Sequence, residues 1–213
     1  MRSFTLIETL LVVVLLTILS AMVFPSVSSF RGRARAVKSL AQLKQHAGVF
    51  AAYATDQRGF FPYVTDPRAT WSVLRNPDRD AAVVVAYFGA HSAWNVALAH
   101  EYYAGDHLSP VFQSPDEETG FWPRTSYWYS CAMLADPRFW NRRFREGAHQ
   151  WRATGSHEVV FPAQKALLLD SFAWRIDFAL GQQIPCRVAL TDGSATSIAP
   201  GRLGDSHPSG EAP

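Results

Sequence analysis

The residue with the clearest chemical potential is Glu8, a lone carboxylate at the start of the longest apolar stretch in the chain. The run Leu10–Phe24 begins two residues later and ends directly before Pro25. A charge inside hydrocarbon costs about 2.5–3.5 kcal/mol on insertion scales. A partner of opposite sign makes such a burial tolerable. This placement therefore offers ion pairing in an apolar setting, and we expect the chain to use Glu8 in that way.

No catalytic set accompanies this carboxylate in the sequence. The seven histidines form no H-x-x-x-H pair, and the chain contains no C-x-x-C, G-x-S-x-G, P-loop or Rossmann glycine motif. A formal net charge of +2 is too small to indicate a nucleic-acid-binding protein. We therefore expect no enzymatic activity, no cofactor and, by default, no nucleic-acid partner.

Two further groups of residues carry weaker site hypotheses. Cys131 and Cys186 suit one disulfide if the domain faces an oxidising space, and two unpaired thiols are the alternative. The segment Arg138–Arg145 mixes cations with aromatic rings, a combination that suits single-stranded DNA or an acidic polymer. The same pattern is typical of a solvated helix whose aromatic side chains pack inward, so the segment alone does not indicate a binding site.

The element that must position Glu8 is a long N-terminal helix. At about 1.5 Å per residue, residues 4–24 extend roughly 30 Å, the thickness of the hydrocarbon core of a bilayer. Apolar residues continue at helical spacing beyond Pro25, which is expected to kink the helix, until the turn-forming Asp56–Gly59. The predicted helix covers residues 4–57, with 4–24 transmembrane. Its predicted packing stripe consists of Val27, Phe30, Ala34, Val37, Ala41, Lys44, Gly48, Ala51 and Tyr53.

The remaining residues predict a globular head at 58–200 and a flexible tail at 201–213, where Gly, Pro, Ser and charged residues accumulate. Helical patterns occur at 78–88 and 92–104. Strand patterns, the last two joined by a primed turn at Asp192-Gly193, occur at residues 126–134, 159–161, 166–170, 187–191 and 194–198. We therefore predict an α+β fold in which the long helix packs on a small antiparallel sheet.

Two interpretations of the N-terminal segment come from the residue types alone. In a secretory signal peptide, Arg2 would be the basic end and Leu10–Leu19 the apolar core, although Glu8 and the bulky Leu19 at the cleavage spacing disfavour it. In a plain membrane anchor, Thr5-x-x-Glu8 would be a capping box, in which each side chain accepts a hydrogen bond from the other residue's amide. The second interpretation gives Glu8 a purely local role.

A third interpretation comes from the segment SFTLIETLLVVV, residues 3–14, which closely resembles the prepilin leader of type IV pilins and type II secretion pseudopilins. In that family a prepilin peptidase cuts before the Phe, methylates the new amine and leaves a Glu as the fifth mature residue. The resemblance implies a leader peptide of residues 1–3, cleavage between Ser3 and Phe4, methylation of Phe4, an assembly role for Glu8 and a helix kink at Pro25. Ser3 stands where the family normally has Gly.

The resemblance also implies a function, which is that of a pilin-like structural subunit in a short periplasmic filament of a type II secretion-like system. The implied partners are other pseudopilin subunits, the prepilin peptidase, the assembly platform and the bacterial inner membrane, which the helix crosses once with the head in the periplasm. The positive-inside rule opposes this orientation, because the basic residues after the apolar run are Arg31, Arg33, Arg35 and Lys38. We give the resemblance precedence, because these charges lie on a continuing helix. The alternative is a minor type IV pilin or a membrane-anchored module that binds DNA or polysaccharide.

Later segments carry looser resemblances to the same family. Asp56–Pro62 resembles the turn after the long helix of many pseudopilins, and Val160–Ser171 with Leu190–Ser194 resembles a pilin-like subgroup that ends in an Asp-Gly hairpin. Some major pseudopilins bind calcium in a C-terminal loop. The oxygen ligands available here for calcium are Asp170, Asp177, Asp192 and Asp205. Of these Asp192 is the main candidate, and a plain turn role is its simpler interpretation.

Overall fold

The computed structural model describes residues 5–63, 72–76, 79–84, 87–117, 125–141, 143, 145–171 and 185–199. Within these ranges, residues 22–29, 72–76, 79–84 and 87–88 are described by their backbone alone. The chain forms two compact units, residues 1–38 and 39–213, and the boundary between them falls inside a single helix.

Helix α1, Leu6–Asp56, is one continuous element of 51 residues. It confirms the predicted long N-terminal helix, with bounds that lie just inside the predicted residues 4–57. Its backbone stays helical through Pro25, so this proline does not end the helix, and the predicted kink stays a prediction. The helix ends in the predicted turn, where Gly59 (φ 87°) donates its amide to the Ala54 carbonyl at 2.6 Å and Arg58 adopts a φ of 57°.

The first unit contains an apolar stretch of α1 that no other part of this unit covers within the described residues. Every large apolar side chain from Leu6 to Leu19 is 46–86% exposed. Among the described residues, no helix offers a stretch that is both long and apolar enough to cross a membrane. The predicted span covers residues 4–24. Of these, residue 4 lies outside the described residues, and residues 22–24 are described by their backbone alone. The transmembrane assignment therefore stays a prediction.

In the second unit, the remaining turns of α1 contribute one buried face to the hydrophobic core. This face consists of Ser39, Gln42, Leu43, His46, Ala47, Phe50, Tyr53 and Ala54. Within this unit the predicted stripe is wrong apart from Tyr53, because Lys44, Gly48 and Ala51 are exposed. The buried face therefore lies on a different side of α1 from the predicted one. It includes polar residues, because their hydrogen bonds are made inside the head.

A small antiparallel sheet completes this core. Its strands, in the order in which they pair, are β3 (Tyr127–Tyr129), β4 (Ala166–Asp170), β5 (Cys186–Leu190) and β6 (Ala195–Ile198). Tyr127, Tyr129 and Leu168 pack with Phe50 of α1 in one cluster. Strands β1 (Ser72–Asn76) and β2 (Arg79–Val84) form a separate hairpin. The predicted α+β class with a small antiparallel sheet is confirmed.

The helices of the head agree only in part with the prediction. The pattern at 92–104 forms α2 (Trp94–Tyr102), which confirms a helix there. The helix predicted at 78–88 is wrong, because residues 79–84 form β2. The β-branched Val83 and Val84 pair there with β1, and such side chains favour a pleated strand. A single further turn, α3, covers Pro137–Trp140.

The strand predictions are also confirmed only in part. Residues 166–170 form β4 as predicted, whereas the strand at 126–134 is limited to β3 and gives way to a 3-10 turn at Cys131–Met133. The strand predicted at 159–161 is wrong, because this segment forms no ladder and exposes Val160 and Phe161. Val160 and Phe161 face solvent and only Val159 packs against the core, so the apolar character of the segment does not report a buried strand.

The β5–β6 hairpin is confirmed, but its loop is not the predicted two-residue primed turn. The Leu190 amide donates to the Ser194 carbonyl at 2.8 Å, so residues 191–193 form a three-residue loop. Of these three residues, Gly193 alone has a positive φ, at 85°. A type I turn followed by a left-handed glycine is the usual three-residue solution. The Asp-Gly pair therefore marks the hairpin correctly but with Gly193 at the bulge position.

Candidate functional site

Glu8 forms a capping box at the N-terminus of α1. Its Oε2 accepts hydrogen bonds from the Thr5 amide at 2.8 Å and from the Thr5 hydroxyl at 2.9 Å, and the Thr5 hydroxyl accepts from the Glu8 amide at 3.4 Å. Both side chains are exposed, and Oε1 of Glu8 makes no hydrogen bond within the described residues. The local role predicted for Glu8 is therefore confirmed, and one carboxylate oxygen stays accessible to another partner.

Several other predicted site residues lie outside the described part of the chain. They are the processing residues Ser3 and Phe4 and the acidic residues Asp177 and Asp205. Pro25 is described by its backbone alone. Cleavage after Ser3 and methylation of Phe4 therefore stay predictions.

A buried polar network ties α1 to the sheet of the second unit. Asp170, at the end of β4, is 1% exposed, and its Oδ2 accepts from the Ser39 hydroxyl at 2.8 Å and the Ser114 hydroxyl at 2.9 Å. Arg187 Nη1 donates to the same oxygen at 3.0 Å and lies 2.5 Å from Asp116 Oδ2. One guanidinium thus lies between two carboxylates, each at most 14% exposed. The sequence pointed to Asp170 only as a calcium ligand, and a network of this kind escaped prediction.

His46 forms a second polar centre on the buried face of α1. Its Nε2 lies 2.9 Å from the Val111 carbonyl and its Nδ1 lies 2.6 Å from the Tyr103 hydroxyl. Because a carbonyl can only accept, Nε2 carries the proton and Nδ1 accepts from Tyr103. The ring stacks on Phe112 with a centroid distance of 5.5 Å. Burial lowers the pKa of His46 from 6.5 to about 4, so the imidazole is neutral at physiological pH.

This depressed pKa makes the stability of the head dependent on pH. Between the folded pKa of about 4 and the unfolded pKa of 6.5, the unfolded chain binds more protons than the folded chain. The contribution of His46 is therefore fully present above pH 6.5 and is lost as the pH falls towards 4. We expect this group to lower the free energy of unfolding by about 3 kcal/mol between neutral pH and its folded pKa.

The test is denaturant unfolding of the detergent-solubilised full chain across this pH range. His46→Gln removes the titrating group, so its stability should fall less steeply with acid than that of the wild type, whatever its absolute value. His100→Gln, at an exposed histidine of α2, is the matched control for a His→Gln substitution outside the core. Equal slopes for His46→Gln and the wild type would contradict the assignment.

The calcium hypothesis gains no support from the geometry around its described candidates. Asp192 Oδ1 accepts from the Ser194 amide at 2.9 Å and from the Ser194 hydroxyl at 2.7 Å, which is the turn role. Asp170 is engaged in the buried network. In the described ranges, no group of three His, Cys, Asp or Glu side chains is arranged to hold a metal ion.

Two cations of the segment Arg138–Arg145, those of Arg138 and Arg145, contact groups close to them in the sequence. Arg138 Nη2 pairs with Asp136 Oδ2 at 3.2 Å. Arg145 donates through Nε to the Phe139 carbonyl at 2.9 Å, and its guanidinium lies 5.0 Å from the Phe139 ring centroid. Helix α3 ends at Trp140, so the segment is not one helix, and Arg142 lies outside the described residues. These contacts weaken the case for a nucleic-acid surface.

Both cysteines are free thiols, so the unpaired alternative is the one observed. Cys186 opens β5 beside one end of β4, where its Sγ lies 3.7 Å from the Asp170 carbonyl. Cys131 follows β3 near the other end of β4, since the preceding Ser130 amide donates to the Leu167 carbonyl at 2.8 Å. Strands β3 and β5 are separated by β4, and two strand spacings of about 4.8 Å exceed the Cα separation that a disulfide accepts.

Comparisons with known proteins do not assign the chain to a family. No protein family, no curated protein and no solved structure matches the chain. A functional proposal must therefore rest on the residues and on the geometry described above.

Proposed function

We propose that this protein is a pseudopilin-like structural subunit, which assembles through its N-terminal helix into a short periplasmic filament of a type II secretion-like system. The observation that carries the proposal is a contrast within α1. Residues 39–56 bury one face in the head, whereas the large apolar side chains from Leu6 to Leu19 are 46–86% exposed. Apolar surface on all sides of a helix calls for lipid or other apolar helices around it.

Glu8 would set the register of that assembly. In the proposed filament the apolar helices pack side by side, and Glu8 of one subunit faces the amine that cleavage creates at Phe4 of its neighbour. Because Oε1 of Glu8 makes no hydrogen bond within the described residues, this amine can approach without breaking the capping box. Any register that leaves either charge buried and unpaired is penalised.

The architecture of the head supports the same proposal. A long helix that supplies one face of the core, a small antiparallel sheet and a final Asp-Gly hairpin are the features expected of a pilin-like subunit. We propose a non-enzymatic protein that crosses the bacterial inner membrane once, with its head in the periplasm. Its partners would be other pseudopilin subunits, the prepilin peptidase and the inner-membrane assembly platform.

Ser3 provides the experiment that tests the processing step. With a prepilin peptidase co-expressed, Ser3→Gly should raise the cleaved fraction and Ser3→Leu should abolish cleavage, because the resemblance places a small residue beside the scissile bond. The readout is the mass of the membrane-extracted chain. Ser20→Leu makes the same change elsewhere on the helix and should be cleaved like the wild type. Full cleavage of Ser3→Leu would contradict the proposal.

A further inference from the structure

The second unit contains a cleft beside the C-terminal end of α1 that the proposed assembly role does not use. Its volume is about 690 Å³. The lining side chains that matter here are Asp56, Gln57, Arg58, Phe60, Tyr63 and Trp151. Concave sites that combine aromatic walls with a few convergent polar groups are the usual form of a small-ligand site.

The two chain segments that form the walls of this cleft are fixed to each other. The Phe61 amide donates to the Thr154 carbonyl at 3.0 Å, and the Ser156 amide donates to the Gly59 carbonyl at 2.7 Å. Phe60 and Gly155 form an antiparallel bridge between these contacts. Walls held by backbone hydrogen bonds lose little freedom when a ligand binds, which favours affinity.

The polar groups of the cleft balance one another in charge. Asp56 Oδ2 accepts from the Tyr102 hydroxyl at 2.6 Å, which orients the carboxylate. The exposed Arg58 guanidinium makes no hydrogen bond or ion pair within the described residues. Arg152, at the edge of the cleft, pairs with Asp136 at 3.1 Å and with Glu158 at 3.9 Å. One carboxylate and one guanidinium therefore remain for a ligand, and the cleft carries no net charge.

Arg58, whose side chain lines the cleft, adopts an unfavourable backbone conformation. Its φ of 57° lies in the left-handed region, where the residue after a helix is usually Gly or Asn. Residues other than glycine in such conformations concentrate at ligand-binding sites. Gly or Asn would be more stable at this position, and a use for the guanidinium would explain why an arginine is present instead.

We propose that this cleft binds a neutral saccharide. One face of a pyranose ring carries C–H bonds and packs on aromatic rings, which Phe60, Tyr63 and Trp151 supply. The ring hydroxyls can donate to Asp56 and accept from Gln57 and Arg58. Balanced charge, together with the negative end of the α1 dipole, disfavours anionic ligands such as uronates, nucleic acids and acidic peptides.

Calorimetric titration of the detergent-solubilised full chain with maltotetraose, cellotetraose and mannotetraose tests this proposal. We expect saturable binding of at least one of them, and a loss of affinity of roughly tenfold or more in Arg58→Asn. Because Asn tolerates a positive φ, this variant should unfold at the wild-type temperature or above, so the loss cannot reflect unfolding. Arg143→Gln removes the same charge from another exposed arginine and should bind like the wild type.

Any one of the following results would overturn the proposal. They are the failure of all three neutral tetrasaccharides to bind, equal binding of tetragalacturonate, and unchanged affinity in Arg58→Asn. Binding of a single-stranded oligonucleotide or an acidic peptide in place of the sugars would overturn it as well. Glu8→Gln should keep the sugar affinity of the wild type, so this test is independent of the assembly proposal.

Discussion

Replacing Glu8 with Gln is expected to reduce incorporation of the subunit into filaments by about tenfold or more, while insertion into the membrane is unchanged. A capping box accepts Gln as well as Glu at this position, so Glu8→Gln preserves the contact with Thr5 and removes only the charge. The Phe4 amine of the neighbouring subunit, with which Glu8 would pair, is then left buried without a counter-charge. Comparison of the chain recovered in sheared filaments with the chain retained in membranes measures the effect.

Thr5→Val separates the capping role of Glu8 from its proposed pairing role. This variant removes the Thr5 hydroxyl that contacts Glu8 but leaves the Glu8 charge in place. We expect incorporation close to that of the wild type. Thr17→Val, at another exposed threonine of α1, is the matched control for loss of a hydroxyl. Equal losses in Thr5→Val and Glu8→Gln, or no loss in Glu8→Gln, would reject pairing between subunits.

Replacing Arg187 with Met is expected to lower the free energy of unfolding by roughly 3–5 kcal/mol. The guanidinium lies 3.0 Å from Asp170 and 2.5 Å from Asp116, and all three side chains are at most 14% exposed. Its removal takes away the guanidinium that lies between the carboxylates of Asp116 and Asp170 and leaves these two negative charges close together. Denaturant unfolding of the full chain in detergent measures the loss. Adding Asp116→Asn and Asp170→Asn to the variant should recover part of the lost free energy of unfolding.

Arg138→Met is the matched control for this variant. Arg138 also pairs with a buried carboxylate, Asp136, but its own side chain is 57% exposed. Water screens such a pair, and Arg152 at 3.1 Å still compensates Asp136, so we expect a change of about 1 kcal/mol or less. A loss in Arg187→Met no larger than that in Arg138→Met would show that the buried network does not hold the head together.

The elements that could be predicted from the sequence are those specified by neighbouring residues. The capping box needs only Thr5 and Glu8, and the end of α1 needs only the turn residues up to Gly59. The β5–β6 hairpin depends on two short strand patterns around Asp192-Gly193. In each case the residues that determine the structure lie within a few positions of one another, so local propensity and tertiary structure agree.

The buried face of α1 could not be predicted, because its polar residues have distant partners. Ser39 reaches Asp170 across 131 positions, Gln42 accepts from Tyr127 across 85, and His46 reaches Val111 across 65. Read by hydrophobicity, these three residues belong on the surface. Their burial becomes favourable only when the sheet and the loop at Val111 supply hydrogen bonds. Tertiary contacts also decide the structure of residues 79–84, which form a strand with β1.

Mass spectrometry of the mature N-terminus of the chain, extracted from bacterial membranes that contain a prepilin peptidase, tests the assembly proposal most directly. We expect a chain that begins at Phe4 and carries one methyl group on its amine, since only this form presents the cation that Glu8 of a neighbour would meet. A chain that keeps Met1, or one that begins beyond Ser20, would contradict the proposed function.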